Sequence, residues 1–272
     1  MTQGIAPRIA SILAAAAAFA APPAFALDVV LTNDDGFESS TTYALYQRLV
    51  AAGHRVLISA SVADQSGRGG SVDFLRPVLP LSAPSRAGCA KAGAPGVGNL
   101  GLGASVFDTA NCPSDANVFW VAGTPVASAL HGIDVAAAAV FGKPADLVIS
   151  GPNFGNNTGL INNASGTVNA ALVALNRGIP AIAVSGPDST YRSFKDLKDG
   201  DKEYEIADVV VRLVAALDGH PSRRAHDAPL LPAGLGLNVN LPPFERGAGA
   251  ALSFRLSRVG TAASVTPVFS AD

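Results

Sequence analysis

Charge is scarce in this chain: Asp, Glu, Lys and Arg make up 15% of it, beside two cysteines, one tryptophan and one methionine. So little charge excludes a coiled coil, and a 49% hydrophobic content excludes intrinsic disorder. The 19 Lys and Arg against 21 Asp and Glu leave a formal charge of −2. That balance gives no electrostatic drive toward nucleic acid or an anionic membrane surface. Two cysteines cannot build a structural zinc site. The histidines His54, His131, His220 and His226 are scattered without ligand spacing. His54 reads as a surface residue, and His131 as a packed or partly solvated one. Several hydrolase signatures are missing as well. No D-x-D-x-T follows the first apolar run, there is no Arg-His-Gly triplet, and no G-x-S-x-G elbow is present. A C-x₅-R loop is excluded because Pro95 and Val118 stand where the arginine would be.

Long apolar runs are also lacking beyond the N-terminus. In residues 1–26, Arg8 is the lone charged side chain, Ile9 to Ala21 is Ala-rich, and Ala24-Phe25-Ala26 is a small-x-small cleavage site. The run is shorter than the roughly 20 residues of a spanning helix. A cleaved signal peptide is expected, with a soluble mature chain starting at Leu27, periplasmic or secreted and free of the membrane. Export permits a disulfide between Cys89 and Cys112, worth about 3 kcal/mol. Two free thiols in a mobile loop are the alternative.

The mature chain alternates strand-like and helix-like patterns, as parallel βαβ units do. Strands are predicted at Leu27 to Thr32, Arg55 to Ala60, Val118 to Ala122, Asp146 to Ser150, Pro180 to Ser185 and Leu235 to Leu241. Helices are predicted at Thr41 to Ala52, Pro125 to Val140, Gly166 to Arg177 and Lys202 to Leu217. Ser71 to Leu81 reads as a strand or hairpin limited by Pro77 and Pro80. Residues 82–117, rich in Gly, Ala, Ser and Pro, read as an inserted surface loop. Within it, Gly96-Val97-Gly98-Asn99-Leu100-Gly101 fits G-x-G-x-x-G but lacks the flanking strand and helix of a dinucleotide site. The expectation is α/β: one domain over 27–272 with a doubly wound, Rossmann-like, mostly parallel sheet.

Such sheets bind ligands at the carboxyl ends of their strands. The first strand ends in Asn33-Asp34-Asp35-Gly36. Adjacent carboxylates there suit Mg²⁺, Mn²⁺ or Ca²⁺, although an ordinary Asp-Gly turn has the same sequence. The second strand leads to the run Asp64 to Ser71, whose Ser66, Gly67 and neighbours present hydroxyls and N–H groups to an anion. The strand at 146–150 runs into a loop of short polar residues and glycines from Ser150 to Gly159. Ser165-Gly166-Thr167 then opens a helix whose N-terminus favours a phosphate. Carboxylates, hydroxyls, amides and an anion site together are what a metal-dependent phosphomonoesterase needs.

These residues resemble the SurE family of metal-dependent nucleotidases. The likeness rests on the N-D-D-G turn, the serine after the second strand, Gly123-Thr124-Pro125, the S-G-x-N-x-G-x-N-x-G run with its following S-G-T-V, and Leu237 to Pro242. The resemblance implies one divalent cation per subunit, Mg²⁺ or Mn²⁺, held by Asp34, Asp35, Ser66 and Asn153. It implies hydrolysis of nucleoside 5′- and 3′-monophosphates, with Ser165, Gly166 and Thr167 holding phosphate oxygens. Asn33 and Gly67 join these as substrate-binding positions. Asp34 and Asp35 become the catalytic pair, with Asp34 favoured as the base. The small-molecule nucleotide is then the partner, no nucleic-acid polymer is bound, and a homodimer is the expected assembly. Leu160 to Ala164 departs from the family pattern. An exported binding protein that holds a phosphorylated ligand or cation without turnover is the alternative from another class.

Overall fold

In the computed structural model, residues 26–220, 228–261 and 268 are described, so the expected signal peptide, up to its last residue, and His226 lie outside the described residues. The strands are β1 (Asp28–Thr32), β2 (Arg55–Ser61), β3 (Val97–Asn99), β4 (Val118–Val121), β5 (Leu147–Asn153), β6 (Ala181–Ser185) and β7 (Gly236–Asn240). They form one sheet in the order β3-β4-β2-β1-β5-β6-β7. All neighbours are parallel except β3, which runs antiparallel to β4. Order reverses around β1, the switch point where a doubly wound sheet opens a crevice. The single α/β domain expected from the sequence is the fold observed.

Helices cover both faces, so the central strands are buried throughout. On one face α1 (Ser40–Ala51) and α5 (Lys202–Asp218) set Leu45, Leu49, Ile206, Val210 and Val214 on Val29, Leu31, Ile58 and Ile149. On the other, α2 (Pro125–His131), a π-helical turn at Gly132–Ala136, α3 (Ala137–Phe141) and α4 (Gly166–Asn176) cover Val30, Leu57, Val148 and Ala183. The one helix read over 125–140 is thus three consecutive pieces. Pro125 opens it and the Thr124 hydroxyl caps it by accepting from Ala127 N–H at 3.2 Å. Among the described residues, no helix is long and apolar enough to cross a membrane.

Three expectations are corrected. Ser71 to Leu81 forms no strand: Pro77 and Pro80 remove two backbone donors, and Phe74, Leu75 and Leu79 are exposed rather than paired. The stretch 82–117 is not confined to the surface. It supplies β3, and Cys89, Ala90, Leu100, Phe107 and Cys112 are buried against Phe37 and Trp120. A parallel sheet ending at β4 would expose an edge and an apolar face, and the insertion covers both. Its G-x-G-x-x-G run serves this packing, since a side chain at Gly98 would stand 2.3 Å from the Trp120 ring. Cys89 and Cys112 are disulfide-bonded. The third correction is His54, which is buried where its Nδ1 accepts from Leu27 N–H at 3.2 Å, and burial holds its pKa low. His131 is half-buried beside Ser59, its Nδ1 lying 2.9 Å from Ser59 Oγ.

Candidate active site

The turn after β1 is built by its first residue. Asn33 Oδ1 accepts from Gly36 N–H at 3.0 Å, and its Nδ2 donates to Gly36 O at 3.1 Å and Thr42 Oγ1 at 2.6 Å. Asn33, placed by the sequence among substrate-binding positions, is fully buried with its side-chain amide committed to this turn. The turn carries Asp34 and Asp35, each less than a tenth exposed.

Neutral donors reach each acid. Thr167 Oγ1 donates to Asp34 Oδ1 at 2.6 Å, and Phe154 N–H donates to Asp35 Oδ2 at 3.2 Å. Among the described residues no Lys, Arg or His pairs with either carboxylate. Burial raises both pKa values, and for Asp35 the charge of Asp34 adds to it, carrying the group well above its ordinary range. Asp64 adds repulsion to both. Two adjacent buried carboxylates without a cation are expensive, and among the described residues no ion pair offsets that expense.

The remaining expected residues arrive from three other strand ends. Gln65 N–H donates to Asp34 O at 2.7 Å and so ties the loop after β2 to the acidic turn. Ser66, next along, is exposed, and its N–H donates to Asp64 Oδ1 at 2.8 Å. Gly67 sits exposed beside it with a φ of +82°, a conformation glycine adopts freely. From β5, Asn153 is placed by a register shift against β6 between Ser150 and Asn153. Its Nδ2 donates to Gly155 O at 2.7 Å and Phe154 O at 3.2 Å, and its Oδ1 accepts no hydrogen bond among the described residues. From α4, Ser165 is the cap, its hydroxyl accepting from Val168 N–H at 3.0 Å. Gly166 lies directly on Asp34, where an added Cβ would come within 2.8 Å of Asp34 Cβ and 2.6 Å of Pro125. Glycine there lets the helix N-terminus touch the acid.

The fold therefore brings the acidic turn, the Gln65–Ser66 turn, Asn153 and the start of α4 to one crevice. Two side chains expected on phosphate also bond to protein: the Ser165 hydroxyl accepts as a cap and Thr167 donates to Asp34. The donors left for a cation are oxygens alone: two carboxylates, the Asn153 amide and a serine hydroxyl. That set fits a hard ion such as Mg²⁺ or Mn²⁺. No group of three His, Cys, Asp or Glu residues able to hold a metal occurs among the described residues, so amide, hydroxyl and water oxygens would complete the shell.

Sequence reading missed a supporting layer. Asn238 and Asn240 of β7 each donate to Asn157 O, at 3.0 and 3.1 Å, and Asn157 Nδ2 donates to Ser185 Oγ at 2.9 Å. These clamp the loop after β5 to two neighbouring strands. Alternation of Asn238 and Asn240 on one face of a predicted strand was the available signal. Beside Asn153 and Phe154 a cavity of about 260 Å³ opens, lined further by Thr41, Arg192, Lys202 and Arg246.

The family model "Survival protein SurE" matches residues 29–265 of this chain. The chain belongs to the SurE family. Among curated relatives, the "Acid phosphatase" of Yarrowia lipolytica is 32% identical over 222 residues, 79% of this chain and 56% of that protein. The chain thus spans little more than half of that relative. The "5′-nucleotidase SurE" of Lawsonia intracellularis is 29% identical over 219 residues, 80% of this chain and 67% of the relative. In three dimensions the chain is similar to the crystal structure of the SurE protein from Aquifex aeolicus, with a TM-score of 0.55 and 26% identity, covering 80% of this chain and 67% of that one. Every strand end that forms the crevice lies inside the stretch matched to SurE.

Proposed function

We propose that the protein is a divalent-metal-dependent phosphomonoesterase that hydrolyses nucleoside 5′- and 3′-monophosphates. The observation that carries this reading is the buried Asp34–Asp35 pair, which meets a helix N-terminus and has no cationic partner among the described residues. Membership of a family with relatives named as nucleotidases and an acid phosphatase supports it.

Asp34, Asp35, Asn153 and Ser66 would hold the cation. When bound, such an ion polarises the phosphoryl group and lowers the pKa of water. The chain's own residues do the rest. Thr167 fixes the rotamer of Asp34 through Oδ1, leaving Oδ2 to orient the attacking water and take its proton. Burial raises the basicity of that oxygen. Water attacks phosphorus, the P–O ester bond breaks, and the leaving alcohol oxygen takes a proton from solvent. The start of α4, which lies against Asp34, would face the phosphate oxygens with its helix dipole. The cavity beside Phe154 has room for part of a nucleoside. Export is the expected setting, supported by the Cys89–Cys112 disulfide. A homodimer is the expected assembly.

The test is phosphate release from nucleoside monophosphates by the chain from Leu27, stripped of metal and then given Mg²⁺ or Mn²⁺, beside Asp34→Asn. Turnover that requires the ion and falls about 10²–10⁴-fold in the variant supports the assignment. Measurable nucleotide binding without turnover at any ion would replace it with a binding protein.

A further inference from the structure

The disulfide-closed insertion does more than cover the sheet edge, because it returns to the acidic turn. Ser85 Oγ donates to Glu38 Oε1 at 2.6 Å, Ala87 N–H to Oε2 at 2.6 Å, and Cys89 N–H to Oε1 at 2.8 Å. Glu38 is buried and belongs to the same connection between β1 and α1 as Asp34 and Asp35. One buried carboxylate with three donors therefore fixes the insertion relative to the catalytic acids.

Between two of those anchors stands Arg86. Its side chain is exposed, and its Cζ lies 3.5 Å from the centroid of the Tyr191 ring. Tyr191 meets Phe154 edge-on, with centroids 5.7 Å apart at 62°, and Phe154 N–H is the donor to Asp35. The guanidinium is thus connected to the acidic pair through two packed rings. Among the described residues Arg86 forms no ion pair. A stacked guanidinium keeps its in-plane N–H donors available, in a fork that matches phosphate oxygens.

We propose that Arg86 binds the phosphate oxygens of the substrate, with Tyr191 as its seat and the insertion as its mount. This rests on the phosphomonoesterase reading above. In that reading Arg86 adds a positive charge to that of the bound cation. A contact made to phosphate is made to every phosphomonoester alike, whatever its alcohol.

The experiment compares wild type, Arg86→Ala, Arg86→Lys and Tyr191→Ala at saturating Mn²⁺, on a nucleoside monophosphate and on p-nitrophenyl phosphate. Binding of inorganic phosphate is measured alongside by calorimetry. Arg86→Ala is expected to raise KM and lower kcat/KM about 10–100-fold on both substrates, with an equal weakening of inorganic phosphate and an unchanged melting temperature. Arg86→Lys should recover part of the loss. Tyr191→Ala should follow Arg86→Ala, because it removes the ring that seats the guanidinium. A loss confined to the nucleotide would overturn the proposal by assigning Arg86 to the nucleoside. Unchanged kinetics and phosphate binding in Arg86→Ala would overturn it outright. If the wild type turns over no ester with any ion, the function assignment fails, and phosphate binding by wild type against Arg86→Ala still decides this inference.

Discussion

The two ends of β1 each carry buried carboxylate, and they treat it in opposite ways. At the amino end, Asp28 receives Arg55 Nε at 2.5 Å, Arg55 Nη2 at 2.6 Å and Lys143 Nζ at 2.9 Å. Burial raises its pKa, and the two cations more than reverse that, leaving it below the ordinary range. At the carboxyl end, Asp34 and Asp35 receive a hydroxyl and backbone N–H groups but no cation among the described residues, and both pKa values are raised. A buried charge that the protein itself neutralises is part of the scaffold. A buried charge pair that it leaves unneutralised marks a place for a ligand.

The largest expected effect breaks the carboxyl end. Asp35→Asn should lower ion-dependent phosphate release by about 10²–10⁴-fold, measured as initial rates. In chelator the same variant should melt a few degrees higher than wild type, because it removes a buried like-charge repulsion. An activity loss together with a lower melting temperature would mean that Asp35 is a structural residue.

Breaking the amino end should do the reverse. Arg55→Ala leaves Asp28 buried with Lys143 alone, at an expected cost of about 1–3 kcal/mol in chemical denaturation, with kcat/KM unchanged. A matching loss of activity would show that the two ends are coupled along the strand.

The pH dependence sharpens the contrast, since the two ends have slopes of opposite sign. Asp35 binds its proton more tightly in the folded chain than in the unfolded one. Its favourable contribution is therefore full below the ordinary value of 3.8 and is lost as pH rises through the folded pKa. Asp28 contributes above 3.8 and loses that contribution as pH falls through its lowered pKa. In chelator, Asp35→Asn should flatten the fall in melting temperature toward neutral pH, and Asp28→Asn should flatten the acid limb. Saturating Mn²⁺ should remove the first slope and leave the second. The smallest effect is expected from Ser66→Ala, an exposed ligand position. It should raise the Mn²⁺ needed for half-maximal activity by roughly fivefold, equivalent to about 1 kcal/mol.

Much of this architecture was legible because its signals are local. Leu27 to Thr32 and Arg55 to Ala60 are short apolar runs closed by polar residues, and Gly53 and Pro125 punctuate the helices beside them. The crevice was legible for the same reason: strand ends in a doubly wound sheet converge, so Asp34, Ser66, Asn153 and Gly166 could be grouped from sequence. Side-chain commitments were not legible. Ser165 and Thr167 share one short motif, yet one caps a helix and the other orients Asp34, a distinction that depends on where β1 lies against α4. Residues 71–81 misled because an apolar run reads as a strand or hairpin, whereas Pro77 and Pro80 cannot donate to a ladder and β3 takes the edge beside β4.

The sequence by itself determined the α/β alternation, the acidic turn after β1 and the family motifs, because periodicity, turn chemistry and spacing act over a few residues. Only the tertiary structure decided which carboxylates are neutralised, that Cys89 meets Cys112, and that Arg86, Tyr191 and Phe154 pack in series toward Asp35. Those pairings join residues far apart in the chain. They exist because the insertion folds back onto Glu38 and the loops after β5 and β6 meet it, and no local pattern encodes such a return.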